Sequence, residues 1–285
     1  MTTAVALPVL TAPRGRVLGR LRATGAAGMI SATVIGLALV AAVFGPLLAP
    51  HDPNLPNLSL SFVGPTSGHL FGFDYVGRDV LSRLLVGAQS SLLGPLVVVA
   101  ISISLGSVLA VTAAWRQGSF DTVVSAALDI LFAFPGILLA VLATAVFGPG
   151  LTAASLALSV AYMPYVARVL RGAALRERSQ PYVAALEVQG ASAPTICLRH
   201  LIPNLSPLIV AQATVTFGYA MVDLAAISFL GLGVQPPTAN WGVMISENQT
   251  GIAQGYPLPA LAASACIVVV VVAINILGER LFEQA

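Results

Sequence analysis

Residues 180–204, QPYVAALEVQGASAPTICLRHLIPN, form a polar stretch between long hydrophobic runs. Ser179 is placed to cap a helix with Pro181 in its first turn, and Gly190 to end that helix in the left-handed conformation. Ser192 is placed to cap a second short helix with Pro194 in its first turn, closed by Pro203. The pattern predicts a helix, a glycine turn and a second helix, a hairpin that lies outside the bilayer. Small residues at Ala184, Ala185, Gly190 and Ala191 leave a low-relief surface against which a partner can pack. On the residues alone two readings stand: a docking element, or a connecting loop with two interfacial helical turns.

The flanking runs decide the fold class. Of 285 residues, 57% are hydrophobic and 8% charged, where soluble domains carry about a quarter charged. The chain is an all-α polytopic membrane protein. All 13 basic residues are arginine and the net charge is +2, with no basic block, so nucleic acid is not an expected partner. Without lysine no phosphate-binding GxxxxGK[ST] loop can exist, so any ATP must be bound by another subunit. No HExxH or Asp-rich motif points to a membrane protease or prenyl-transfer enzyme. Cys197 and Cys266 fall in different compartments with no CxxC or Cys/His spacing, which predicts two free thiols and no structural metal.

Six spans are expected, at about residues 29–48, 90–115, 123–147, 151–170, 206–230 and 258–278. Residues 1–28, with Arg14, Arg16, Arg20 and Arg22, form an N-terminal segment, and 29–285 one transmembrane domain. An external loop covers about 50–88 and includes an interfacial amphipathic helix from Asp79 to Gln89, with Leu81, Leu84, Leu85 and Ala88 on one face. Pro135 should kink the third span. A cytoplasmic loop covers about 171–205, and a second external loop about 231–256, with Trp241 placed to anchor at the membrane interface. With both ends inside, eleven of the thirteen arginines are cytoplasmic and only Arg78 and Arg83 are external, the bias that sets orientation.

Three motifs carry a resemblance. Ala184-Ala185-Leu186 and Gly190, followed by Arg199-His200 and Pro203-Asn204, resemble the coupling loop of ATP-binding-cassette importer permeases. Ala184 stands where that pattern has an acidic residue and Leu186 where it has a second alanine. GHLFGFDYVGRDVLSRLLVGAQSSL (68–92), with Gly72, Asp74, Gly77-Arg78-Asp79, Ser82-Arg83, Gly87 and Ser91-Leu92, resembles the C-type subunit of the dipeptide, oligopeptide and nickel branch. Phe73 there replaces a usual threonine and Gln89 a usual arginine. AISFLGLGVQPPTANWGVMISE (226–247) is similar to the same branch through Ser228 to Gly233, Pro236-Pro237 and Trp241-Gly242.

The resemblance implies a type I importer transmembrane domain with no cofactor and no catalysis of its own. It implies pairing with a related B-type permease in the bacterial cytoplasmic membrane, above two ATPase domains that bind ATP and magnesium. An extracytoplasmic binding protein would deliver cargo, with peptides favoured over nickel complexes, haem or glutathione. The coupling residues it implies are Tyr182, Val183, Ala184, Ala185, Leu186, Gly190, Ala191, Ser192, Arg199 and His200. Gly77, Arg78, Asp79, Arg83 and Trp241 form the external signature.

Two carboxylates fall within spans, Asp129 and Asp223, and each needs a partner or water because an unpaired charge there is costly. Asp223 matches a usual acidic position of the branch. Both remain open between a structural or subunit-interface role and a place, with Pro135, on the translocation path. His51 and His69 are expected outside and His200 inside, so the three cannot share one site; His200 is expected to order the hairpin. Two rivals make different demands. An ion-coupled secondary transporter would need Asp129 or Asp223 to titrate during transport, and no inverted repeat is visible. A membrane enzyme would need clustered polar residues at one depth.

Overall fold

The computed structural model describes residues 25–283. The arginines at 14, 16, 20 and 22 lie outside the described residues, as does most of the expected N-terminal segment. In chain order the helices are α1 (Gly25–Leu48), α2 (Val80–Arg116), α3 (Gly118–Phe132), α4 (Gly136–Phe147) and α5 (Leu151–Arg178). They are followed by α6 (Pro181–Val188), α7 (Ala193–Ile196), a π-helical turn (Cys197–Leu201), α8 (Ile202–Phe229), α9 (Trp241–Ala253) and α10 (Leu258–Glu283). Among the described residues there is no strand, only two isolated bridges. Five helical runs are long and apolar enough to cross a membrane, and α3 with α4 makes a sixth, broken by a 77° bend.

That bend falls where Pro135 was expected to kink the third span, and the structure breaks the helix outright. Proline has no amide hydrogen and its ring clashes with the preceding turn; Pro135 becomes the N-cap of α4.

Helix α2 is the spine. Its 37 residues run without a break from the expected amphipathic helix at 79–89 into the expected span at 90–115. Val80, Leu84, Ala88 and Leu92 form one buried stripe at four-residue spacing, continuous across the expected boundary, so nothing stops the helix there. The Asp79 side chain caps it, accepting from the Ser82 amide at 2.8 Å. Farther along, α2 packs against α5 through small residues: Gly106, Ala110, Ala113 and Ala114 face Ala167, Ala173 and Ala174, all buried. Close backbone approach of this kind is how helices associate where lipid supplies no hydrophobic drive. Buried hydroxyls bond their own helix, Ser102 to Val98 O and Ser159 to Ser155 O, both at 2.7 Å. Large apolar side chains such as Leu37, Val43, Leu47, Ile130 and Val146 point outward and are exposed, as lipid-facing positions should be.

The segment expected as an external loop at 231–256 holds a further helix, α9, which its mixed polarity and two glycines concealed. Asn240 caps it, accepting from the amides of Gly242 at 2.9 Å and Val243 at 3.4 Å.

Candidate functional site

At one end of the bundle the hairpin is built on a small apolar knot. Val183 from α6, Ile196 from α7 and Leu201 from the π turn are buried together, with Trp115, Tyr182, Leu186, Ala191 and Cys197 packed around them. Gly190 ends α6 at φ +80°. The amide of Gly190 donates to Glu187 O at 3.0 Å and that of Ala191 to Leu186 O at 3.0 Å, the paired closure that a left-handed residue permits.

Two expectations about this hairpin need correction. Pro203 does not close the second helix; it sits in the first turn of α8, and the chain stays helical from Ala193 to Phe229. The π turn, with the Ile202 amide bonded back to Cys197 O, carries the helix across a position where proline can donate no bond. Ser179 does not cap α6 either. Its hydroxyl donates to Arg176 O at 2.7 Å, closing α5, and Gln180 takes the N-cap position. Ser192 does hold the N-cap of α7, but its hydroxyl pairs with Thr195 Oγ1 at 2.8 Å.

The hairpin is tied to three helices at once. Tyr182 Oη donates to Glu177 Oε1 at 2.7 Å, and Asn204 Nδ2 donates to the same oxygen at 2.8 Å. Burial, and then the Glu177 carboxylate, push the Tyr182 hydroxyl up to about 12. Arg178 donates to the carbonyl of Ala114 at 2.9 Å and to that of Trp115, and its guanidinium lies 4.8 Å from the Trp115 ring centre. Thus α5, α2 and α8 all meet at the hairpin's base. His200 reaches Tyr182 by ring contact, with centroids 6.4 Å apart, and its ring makes no hydrogen bond among the described residues.

The outer face is different in character. Ala184, Ala185, Gly190, Ser192 and Arg199 are exposed. Val188, between the candidate spans, is 89% exposed, and Leu198, in the first turns of the Ala193–Phe229 run, is 66% exposed.

The opposite end holds a buried ionic knot. Arg78 Nε donates to Asp74 Oδ2 at 2.6 Å, and Arg78 and Arg83 each donate to Glu247 Oε2 at 2.9 Å. Arg83, fully buried, also donates to the carbonyls of Pro53 and Pro237, at 3.1 and 3.3 Å. Burial works against the Arg78 charge, but Asp74 and Glu247 hold its guanidinium above the usual arginine value. Gly77 permits the turn that delivers Arg78: its φ is +79°, and a Cβ there would meet Asn57 O at 1.8 Å. The signature residues therefore join the 49–79 segment to α9. Trp241 does not anchor at a membrane interface; it is 4% exposed and its Nε1 donates to Leu84 O at 2.9 Å, fastening α9 to α2.

Between the two ends a cavity of ≈ 360 Å³ opens at the α3–α4 break. Asp223, Tyr162, Tyr219 and Pro135 line it, and Tyr162 Oη donates to Asp223 Oδ2 at 2.7 Å. The structure thus brings Pro135 and Asp223 together but leaves Asp129 elsewhere, paired with Arg168 and exposed. Sequence reasoning missed Tyr162, Tyr219, Glu177 and Glu247 as partners. Apart from Glu177 with Tyr182, which is five residues away, their contacts join segments far apart in the chain, and only the demand that Asp223 be paired hinted at one of them.

Residues 102–284 match the family described as binding-protein-dependent transport system inner membrane component, and residues 18–65 match the N-terminal domain of oligopeptide transport permease C. A probable D,D-dipeptide transport system permease of Escherichia coli K12 is 36% identical over 249 residues, covering 87% of this chain and 83% of that protein. A putative peptide transport permease of Brucella suis is 38% identical over 253 residues, 88% of this chain and 84% of its own length. A glutathione transport permease of Escherichia coli O6:K15:H31 is 37% identical over 260 residues, 89% and 84%. Among solved structures, the inward-facing methionine transporter MetNI superposes with a TM-score of 0.58 at 23% identity, over 71% of this chain and 95% of that one. On its family match and its relatives at up to 38% identity, this chain belongs to the binding-protein-dependent transport system inner membrane components.

Proposed function

We propose that this chain is one of two permease subunits of an ATP-driven peptide importer, and that residues 180–204 receive the ATPase. The observation that carries the reading is the hairpin's two-sided construction. Its inner side is locked by Val183, Ile196 and Leu201, while Val188, between the candidate spans, and Leu198, at the start of the Ala193–Phe229 run, stand bare. Exposed apolar side chains at such a place are what a protein partner covers. Peptide cargo follows the relatives named for peptide and glutathione transport. The arginine bias supports a topology with the hairpin and both chain ends in the cytoplasm.

The geometry gives such docking a mechanical consequence. Because Glu177 and Asn204 share Tyr182, and Arg178 grips the end of α2, a displacement of the hairpin would pull on all three helices. It moves α2, α5 and α8 together, and α8 carries Asp223 to the cavity wall. ATP binding in partner subunits would bias a bundle with inward- and outward-facing arrangements, by as much as the docked ATPases prefer one over the other. Residues 29–285 act as one permease domain, and this chain does no bond chemistry: ATP and magnesium belong to the partner ATPases. A second, related permease would complete the path, and an extracytoplasmic binding protein would meet the end that holds the ionic knot.

The test is uptake of a labelled tripeptide by proteoliposomes holding the assembled complex, with binding protein outside the permease's receiving face and ATP at the ATPases. Uptake should require ATP and survive collapse of proton and sodium gradients. Uptake that follows either gradient without ATP would replace this reading by an ion-coupled one.

A further inference from the structure

At the end of the bundle opposite the hairpin, His51, His69 and Asp79 converge from three separate stretches of chain, each offering a ligand atom, all within 4.8 Å of one another. We propose that these three side chains form a binding site for a divalent transition metal of the zinc type. His69 Nδ1 lies 2.8 Å from Asp79 Oδ1, and His51 Nδ1 lies 3.9 Å from Asp79 Oδ2. Two donors at about 2.0–2.1 Å from a tetrahedral ion are about 3.3 Å apart, a separation that the two observed distances bracket.

The site is prepared at the level of backbone. His51 follows α1, and its amide donates to Ser82 Oγ at 3.0 Å. His69 is fixed by reciprocal amide bonds with Thr66, at 2.9 and 3.2 Å. Asp79 is the N-cap of α2, and its Oδ2 accepts from the Ser82 amide at 2.8 Å and hydroxyl at 2.7 Å. Such outer contacts orient a ligating carboxylate. The imidazole rings of His51 and His69 stack with centroids 4.1 Å and planes 23° apart, so one ring must turn out of the stack for both in-plane lone pairs to converge on one ion.

The donor set selects the metal class. Two imidazoles and a carboxylate suit zinc, cobalt, nickel and copper, whereas calcium and magnesium take all-oxygen shells. Asp79 is buried and His51 is 40% exposed, so the site opens on one side, leaving a fourth position to water or a donor from another molecule. Binding through His69 Nδ1 would replace its hydrogen bond to Asp79 by two bonds to the ion. No spacing rule could have found the site, because its ligands meet only through the turn at 66–69 and the cap of α2.

The experiment is titration of the full-length chain, purified in detergent without a polyhistidine tag, with Co²⁺ alone, followed by Zn²⁺ competition. The expected result is one Co²⁺ per chain with the visible absorption of a low-coordinate cobalt, bleached by Zn²⁺. Wild type should also gain thermal stability with Zn²⁺. His51→Ala and His69→Ala should lose the band, and His200→Ala, at the other end of the bundle, should keep it. Metal-free melting of each variant separates lost binding from lost fold. Absence of both the cobalt band and the Zn²⁺ stabilisation in wild type would overturn the site and leave His69–Asp79 as a plain hydrogen-bonded pair. Stoichiometric binding by the His51→Ala/His69→Ala double variant would overturn it as well.

Discussion

Replacing Glu247 by Gln removes one charge from a knot whose members balance, two arginines against two carboxylates. The side chains of Asp74, Arg78, Arg83 and Glu247 are 0–8% exposed, so water cannot take over the work of the missing charge. Glu247 Oε2 accepts from both guanidinium groups at 2.9 Å, and a neutral amide leaves Arg78 and Arg83 sharing Asp74 alone. Breaking a buried pair by removing one partner costs about 3–5 kcal/mol. That amount lowers the folded-to-unfolded ratio by about two to three and a half powers of ten, at about 1.4 kcal/mol per tenfold. The assay is equilibrium unfolding in mixed micelles, followed by intrinsic fluorescence. The charge-balanced Glu247→Gln/Arg78→Met variant is the sharper reading, because it returns the knot to one positive and one negative group. It should be more stable than the sum of the single losses by about 0.5–3 kcal/mol, the range for coupled neighbours. Strict additivity, or a Glu247→Gln protein within about 0.5 kcal/mol of wild type, would refute the reasoning.

Four further outcomes are expected. Ile196→Ala hollows the fully buried knot beneath the hairpin and should cost about 2–5 kcal/mol locally, seen as faster amide exchange across 181–201 with the spans still protected. Gly190→Ala meets no atom within 4 Å, so its cost is backbone strain alone, about 1–2 kcal/mol, and Gly190→Asn should cost less; equal stability of all three proteins would contradict the left-handed turn. Asp223→Asn keeps an acceptor for Tyr162, so stability should fall by no more than about 1 kcal/mol, while uptake falls if the carboxylate charge faces the path; unchanged uptake would make Asp223 purely structural. Tyr182, raised from 10.0 to about 12, favours the neutral hydroxyl in the folded state. Its contribution is complete below pH 10 and lost as pH rises through 12, so the ultraviolet difference titration between wild type and Tyr182→Phe should show no tyrosinate near pH 10.

The sequence was most legible where one physical demand dominates. Uncharged runs of spanning length placed the helices, and Gly190 with its flanking prolines placed the hairpin's turn, because only glycine takes φ +80° cheaply. The errors fall where tertiary contact overrides a local signal. Asp79–Gln89 reads as an amphipathic segment because part of its apolar face meets α9, which carries Trp241 back to Leu84; the rest of that stripe simply continues into the span. Pro203 reads as a stop, yet a π turn passes it. Helix α9 was hidden because its polar residues satisfy partners in the other segment: Glu247 holds two arginines and Asn248 accepts from the Tyr75 amide at 3.0 Å. Pairings such as Tyr162 with Asp223 leave no local trace at all.

Coupling through residues 180–204 requires the hairpin's outer face to pass force from an ATPase. The direct measurement is cargo-stimulated ATP hydrolysis by the complete complex in lipid, comparing wild type with Val188→Asp and Leu198→Asp. Both side chains are exposed, so the substitutions leave the knot of Val183, Ile196 and Leu201 intact. Loss of the stimulated component, with the chain inserted and its unfolding midpoint unchanged, is the predicted result. Full stimulation in the double variant would contradict the assignment of residues 180–204 as the coupling element.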